Sequence, residues 1–394
     1  MRAVLGTVGS SLLAIASSGT AHAEPWAKTY VIEWYEAALY YGAEDGTIEP
    51  GTDCPAGAAA APDWHEVMVK AGYSAEESEW LRDPANPTRS PINGQPMMAF
   101  RGADRQNVYD YPTTIAEAGL PPVTGTIGLG LDLDGDPTNG FTSPDGETGI
   151  DNAYYKALGC WKSVRGPARL SDGAKGSNDS MREGAWTVVI VLSGDGADPR
   201  NDDTVKVGFY TSGDAIVRDG AGGVATDYTF SIKPDDKLET ILEGQSRDGV
   251  ITAKADGPVW MRGPDARELK LVEAQLRLTM KEDGTLSGLM GGYRPWLPIY
   301  EGLVAARGPV VEALTWVQLP DIYYALRRHA DYSPTGPGGE KTYISYNMQI
   351  DAAPAYVMTP DASRVVSAVK TYELRNANDV QTAQLTTSGS ARND

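Results

Sequence analysis

Nine Asp-Gly dipeptides punctuate this chain, at Asp45, Asp134, Asp145, Asp172, Asp195, Asp219, Asp248, Asp256 and Asp283. Aspartate tolerates left-handed backbone and glycine adopts it freely, so each pair is a turn signal. A chain interrupted this often cannot lay down long regular elements; it must reverse direction repeatedly. From Trp186 the intervening segments are of strand type. Trp186–Leu192 is a β-branched run suited to a buried strand, and Thr204–Tyr210 alternates as a half-buried strand does. Leu276, Leu278 and Met280 alternate with polar residues before Asp283-Gly284, a hairpin turn, and Thr342–Ile350 is a last strand signal. Short strands at turn-marked intervals argue for an antiparallel sandwich or barrel rather than a βαβ sheet. The expected fold is mainly β with helical additions (α+β), around an antiparallel β-sandwich or jelly-roll-like core over residues 181–374.

Helical signals decorate that core. Pro298–Trp316 and Asp321–His329 form an expected helical insertion spanning residues 298–330. In the N-terminal region, residues 24–180, Ser74-Ala-Glu-Glu77 reads as a capping box opening a helix through Leu81. Trp64, Val67, Met68 and Ala71 fall on one helical face, and prolines between Asp83 and Pro122 imply irregular wrapping. The tail, residues 375–394, is polar and expected to be disordered.

Residues 1–23 read as a secretory signal: Arg2, a short small-apolar stretch, and Ala21-His22-Ala23 as the cleavage site. No later window offers about twenty uncharged apolar residues, so no membrane insertion is expected. The net charge of −19 disfavours nucleic acid and anionic membrane surfaces as partners. The expected location is periplasmic or secreted. In that compartment the two cysteines, Cys54 and Cys160, most often form a disulfide, with separate thiols or metal ligation as the alternatives.

The chemistry-bearing segment is residues 131–152. Asp132, Asp134, Asp136, Asp145, Glu147 and Asp151 lie within twenty residues of one another, with no lysine or arginine among them. Carboxylates this dense repel unless a hard cation sits between them, and Ca²⁺ takes six to eight oxygen ligands in a flexible shell. All six are candidate Ca²⁺ ligands. The segment is not an EF-hand, because Pro137 and Ser143 stand where the template needs glycine and glutamate. The competing reading is a solvated acidic loop whose side chains cap turns. A second stretch, with Asp195, Asp198, Asp202 and Asp203, offers a weaker ion site because Arg200 partly neutralises it.

Other chemistries are poorly supplied. His65 and His329 are the only histidines beyond the signal, too few for a typical zinc site, and no nucleophile elbow occurs. Gly125–Gly130 has the wrong spacing for a dinucleotide loop and precedes an acidic segment that would repel an anion. Glycoside hydrolysis needs only two carboxylates, and the chain has 20 tyrosines and 9 tryptophans that could stack on sugars. Those counts suit a half-wet β fold equally well.

Leu131-Asp-Leu-Asp-Gly135, Phe141–Asn152 and Leu158-Gly-Cys160, with Asn201–Val207 and Ala352–Tyr356, resemble a signature of uncharacterised exported proteins of environmental bacteria. The resemblance implies that the acidic segment is a recurrent module, and it carries no activity with it. The expected function is an exported, calcium-stabilised binding or accessory protein of the cell envelope, non-enzymatic, with an unknown protein or glycan partner. The alternatives are an exported glycan hydrolase with paired carboxylates and a structural subunit of an extracellular assembly.

Overall fold

The computed structural model describes residues 25–40, 54, 69, 74–82, 109–114, 117, 119–161, 164, 172–225, 228–235, 237–265, 267–305 and 319–358. The signal segment, the Trp64 stripe with His65, the rest of the 298–316 helix and the polar tail lie outside the described residues. Four strands form one half of a sheet: β1 (Trp26–Ala37), β2 (Thr187–Gly194), β3 (Asp202–Ser212) and, after the short β4 (Thr229–Ser231), β5 (Thr240–Arg247). The other half uses β6 (Val250–Lys254), β7 (Val259–Arg262), β8 (Glu268–Met280), β9 (Leu286–Pro295) and β10 (Tyr343–Pro354), with β11 (Tyr356–Met358) ending the described chain.

These strands make a barrel, which corrects the expected sandwich or jelly-roll. The order β6-β5-β3-β2-β1-β10-β9-β8 returns to its start because β6 also pairs with β8, from Val250↔Thr279 to Lys254↔Gln275. A sandwich leaves its sheets with open edges, whereas this ring of eight antiparallel strands has none. β7 lies outside the ring count, pairing with the first half of β8 end to end with β6. Both architectures bury alternate residues of each strand, so the period-2 pattern reads alike for either. The long-range pairing of β6 with β8 decides between them.

Eight strands enclose a lumen just wide enough to be filled by side chains. Ile32, Val188, Ile190, Phe209, Leu242, Leu278, Met290 and Met348 are among the buried residues that fill it. β2 is buried on both faces because Val189 and Val191 turn outward under Phe230 and Val357 of the parallel β4–β11 pair. That double burial explains its unbroken β-branched sequence. The turn between β5 and β6 is Asp248-Gly249, at φ of 51° and 84°, the left-handed pair that a two-residue hairpin demands.

Helices cluster at one end. The insertion is α4 (Trp296–Ala305) and α5 (Leu319–His329), preceded in the chain by α1 (Ala75–Arg82), α2 (Ala153–Leu158) and α3 (Asp172–Arg182). Trp296, Ile299, Ile322 and Leu326 pack with Leu158, Trp161 and Ile344. The capping box at α1 is present: Ser74 N donates to Glu77 Oε2 at 2.8 Å, and Glu77 N to Ser74 Oγ at 3.0 Å. β1, in a region expected to be irregular, is instead a central barrel strand between β2 and β10. A bulge between Ile32 and Trp34 shifts its phase, which hides its alternation in the sequence.

Candidate metal centre

The acidic segment folds as a lobe against the outer wall of the barrel. Phe141 and Ile150 exchange both backbone hydrogen bonds, at 2.8 and 2.9 Å, and Asp151 N donates to Leu131 O at 3.0 Å. These bonds draw the two ends of the segment side by side. Gly149, at φ +82°, allows the closure: a β-carbon there would stand 2.9 Å from Asp136 O. The Cys54–Cys160 disulfide forms, and both cysteines are buried with Val123, Phe141, Ile150 and Tyr155 at the base of the lobe.

β10 holds the lobe through its outward polar residues. Asn347 accepts from Leu131 N at 3.0 Å and donates to Asp151 O at 2.6 Å. Two glycines make room for it: a β-carbon on Gly291 of β9 would stand 2.2 Å from Asn347 Oδ1, and one on Gly130 would stand 2.8 Å from Nδ2. Ser345 Oγ accepts from Ala153 N at 2.8 Å. From β8, Gln275 donates to Leu133 O at 3.0 Å. Asn152 caps α2 by accepting from Tyr155 N, and its amide donates to Ala38 O and Leu129 O, both at 2.8 Å.

Held this way, Asp132, Asp134 and Asp151 converge, with one carboxylate oxygen from each within 4.8 Å of the others. It is a group that could hold a metal ion. Asp151 is buried; its Oδ2 accepts from Leu133 N at 2.7 Å and Asp134 N at 3.1 Å. Asp132 Oδ1 accepts from Gly135 N at 2.6 Å, and Asp134 accepts from Asp136 N at 2.8 Å and Asn139 Nδ2 at 2.9 Å. Burial pushes the Asp151 carboxyl up to about 6 against those two backbone donors, with Asp134 and Asp331 adding repulsion. Burial also raises Asp331, despite its bonds from Ser345. It raises the Tyr293 hydroxyl as well, with Asp151, Asp331 and Asp134 adding to the shift. Negative charge is therefore concentrated here, with Lys341 offsetting it in part at Asp331.

The other three loop carboxylates each have a partner of their own. Exposed Asp136 accepts from Thr138 N at 3.0 Å and Thr138 Oγ1 at 2.6 Å. Asp145 accepts from Ser143 Oγ, which holds its carboxyl below the usual range. Glu147 makes a two-pronged pair with Arg277 of β8, at 3.1 and 2.7 Å. The second acidic stretch does not converge. Asp202 accepts from Trp26 Nε1 at 2.7 Å and Gly196 N at 2.8 Å; Asp198 accepts from Arg200 N and Asn201 Nδ2; Asp203 pairs with Arg247. Among the described residues no other group of three His, Cys, Asp or Glu side chains converges in this way. His329 is partly buried, its Nε2 without a partner among the described residues, and burial lowers its pKa.

Three contributors escaped the sequence reading: Asp331, Tyr293 and the Asn347 clasp. Glycines inside a strand often mark a close backbone approach, so Gly291-Gly292 in β9 was the available signal for the clasp. A shallow groove of about 560 Å³ borders Asp132 across β5, β6 and β8, walled by Gln245, Thr252, Lys254, Gln275 and Arg277. Among the described residues no aromatic ring lines it.

Fold and site together define a closed eight-stranded antiparallel β-barrel carrying a three-carboxylate cluster on its outer wall. No family model, no curated protein and no solved structure matches the chain.

Proposed function

We propose that this chain is an exported, calcium-stabilised binding or accessory protein of the cell envelope. The observation that carries the reading is the convergence of Asp132, Asp134 and Asp151 within 4.8 Å. Ca²⁺ holds its oxygens at about 2.3–2.6 Å, so oxygens on opposite sides of the ion stand about 5 Å apart. Mg²⁺ binds at about 2.0–2.1 Å and keeps more of its water, which suits this irregular loop less well. An all-oxygen donor set favours hard cations over zinc or copper. The backbone carbonyls of a turn-rich loop and water supply the remaining positions such an ion needs.

The rest of the architecture supports a binding role over catalysis. Apolar side chains fill the lumen, so it does not serve as a carrier cavity of the lipocalin kind. Among the described residues the groove beside the cluster has no aromatic platform of the kind that would favour a glycan hydrolase. The disulfide, together with the reading of residues 1–23, supports export. Isothermal calorimetry tests the ion claim: one Ca²⁺ per chain, with Mg²⁺ much weaker, and heat lost in Asp134→Asn. Equal binding of Ca²⁺ by that variant would refute the assignment.

A further inference from the structure

The helical end of the barrel carries a second polar cluster, with the opposite charge. Arg294 stands opposite Ile344 in the β9–β10 register, four pairs beyond the inward Met290–Met348 pair, and so points to the lumen side. It is 5% exposed. Its Nη2 donates to Asp265 Oδ2 at 3.2 Å, and its guanidinium stands 5.2 Å from the centre of the Tyr346 ring. A guanidinium has five N–H donors, and among the described residues Asp265 is the one acceptor this one meets. Arg267 joins from the β7–β8 hairpin. Its guanidinium packs on α4, where a β-carbon on Gly302 would stand 2.6 Å from Nη1.

Arg267 N donates to Asp265 Oδ1 at 3.3 Å, so one carboxylate answers the charges of both arginines, through the guanidinium of one and the backbone of the other. Burial pushes Asp265 up, but Arg294 and Arg267 outweigh it and hold the group below its usual range, so it is charged. Among these three described groups one positive charge remains in excess. Tyr154 of α2 covers the cluster, edge-on to Tyr346 at 4.9 Å between ring centres. Neither of their hydroxyls has a hydrogen-bond partner among the described residues, whereas Tyr35 Oη beneath them donates to Met348 Sδ at 3.1 Å. Donors that meet no protein acceptor are left to solvent or a ligand, and uncompensated charge in a low-dielectric interior is costly. An arginine fork matches the two oxygens of a carboxylate or phosphate, and a single excess charge calls for a monoanion. The Asp265 side chain, 36% exposed, leaves the cluster open to solvent on one side.

We propose that the helix-capped end of the barrel binds the carboxylate of a small organic acid through Arg294 and Arg267, with the hydroxyls of Tyr154 and Tyr346 as further donors. This site is independent of the cation cluster, and its test is run in EDTA. The full chain is melted while sodium acetate replaces sodium chloride at constant ionic strength, with sodium phosphate as a parallel arm. Acetate raises Tm saturably in the wild type. The rise shrinks in Arg267→Gln and Tyr346→Phe and vanishes in Arg294→Gln. Tyr346→Phe removes only an oxygen and Arg267 is partly exposed, so both variants keep the test decisive if Arg294→Gln fails to fold. Equal Tm in acetate and chloride overturns the proposal. So does a non-saturating rise that persists in Arg267→Gln, the mark of an adventitious ion only. A larger shift in phosphate overturns the monoanion assignment.

Discussion

Asp151 is where the energetics of the lobe concentrate. Its carboxyl sits buried beside Asp134 and Asp331, and its folded value of about 6 lies above the ordinary 3.8. An acid raised on folding binds its proton more tightly in the native state, so stability falls as pH rises between those values. The penalty is absent below 3.8, complete above about 6, and at most about 3 kcal/mol. Asparagine at this position keeps an oxygen for the two backbone donors while removing the charge. In EDTA, Asp151→Asn should therefore match the wild type near pH 4 and exceed it in stability near pH 7, by urea denaturation. A constant difference across that range would show that the charge is not what matters.

A neighbouring residue tests how the lobe is held. Asn347→Ala removes the bonds to Leu131 N and Asp151 O, both buried, and should cost about 2–4 kcal/mol. Gly291→Ala drives a β-carbon to within 2.2 Å of Asn347 Oδ1 and should cost about 1–3 kcal/mol by displacing the same clasp. Because both act through one side chain, the double variant should cost less than the two single costs added together. Full additivity in a double-mutant cycle would contradict the clasp.

At the scale of elements, the disulfide ties the base of the lobe to a segment 106 residues earlier. Closing so long a loop is worth up to about 4–5 kcal/mol in the chain-entropy model. Replacing both cysteines by serine should lower stability by about 2–4 kcal/mol in urea denaturation, with a steeper slope because the unfolded chain is no longer cross-linked. Elements with strong local signals were legible in the sequence: the β-branched run of β2, the Asp-Gly hairpins and the Ser74 capping box. β1 was not, because the bulge after Ile32 breaks its alternation. Within the acidic segment, the presence of a carboxylate cluster was legible but its membership was not. Thr138, Ser143 and Arg277 draw Asp136, Asp145 and Glu147 away, and Arg277 lies on a strand far along the chain.

For the whole molecule, closure of the barrel was hidden for a related reason. A sandwich and a barrel ask the same of each strand and differ in whether β6 meets β8, a tertiary pairing that no local pattern encodes. The lobe occupies one side of the wall, held by Asn347, Gln275, Arg277 and the disulfide. A cation at Asp132, Asp134 and Asp151 would complete the attachment by neutralising the charge that folding buries. The cation and the charge penalty at Asp151 are then two sides of one balance, and Ca²⁺ should stabilise the wild type most where the penalty is largest.

Thermal unfolding near pH 7 in EDTA, in Ca²⁺ and in Mg²⁺ tests this account most directly. Ca²⁺ should raise Tm well above the EDTA value, Mg²⁺ should do so far less, and Asp151→Asn should not respond. Identical melting of the wild type in EDTA and in Ca²⁺, or an undiminished Ca²⁺ response in Asp151→Asn, would contradict it.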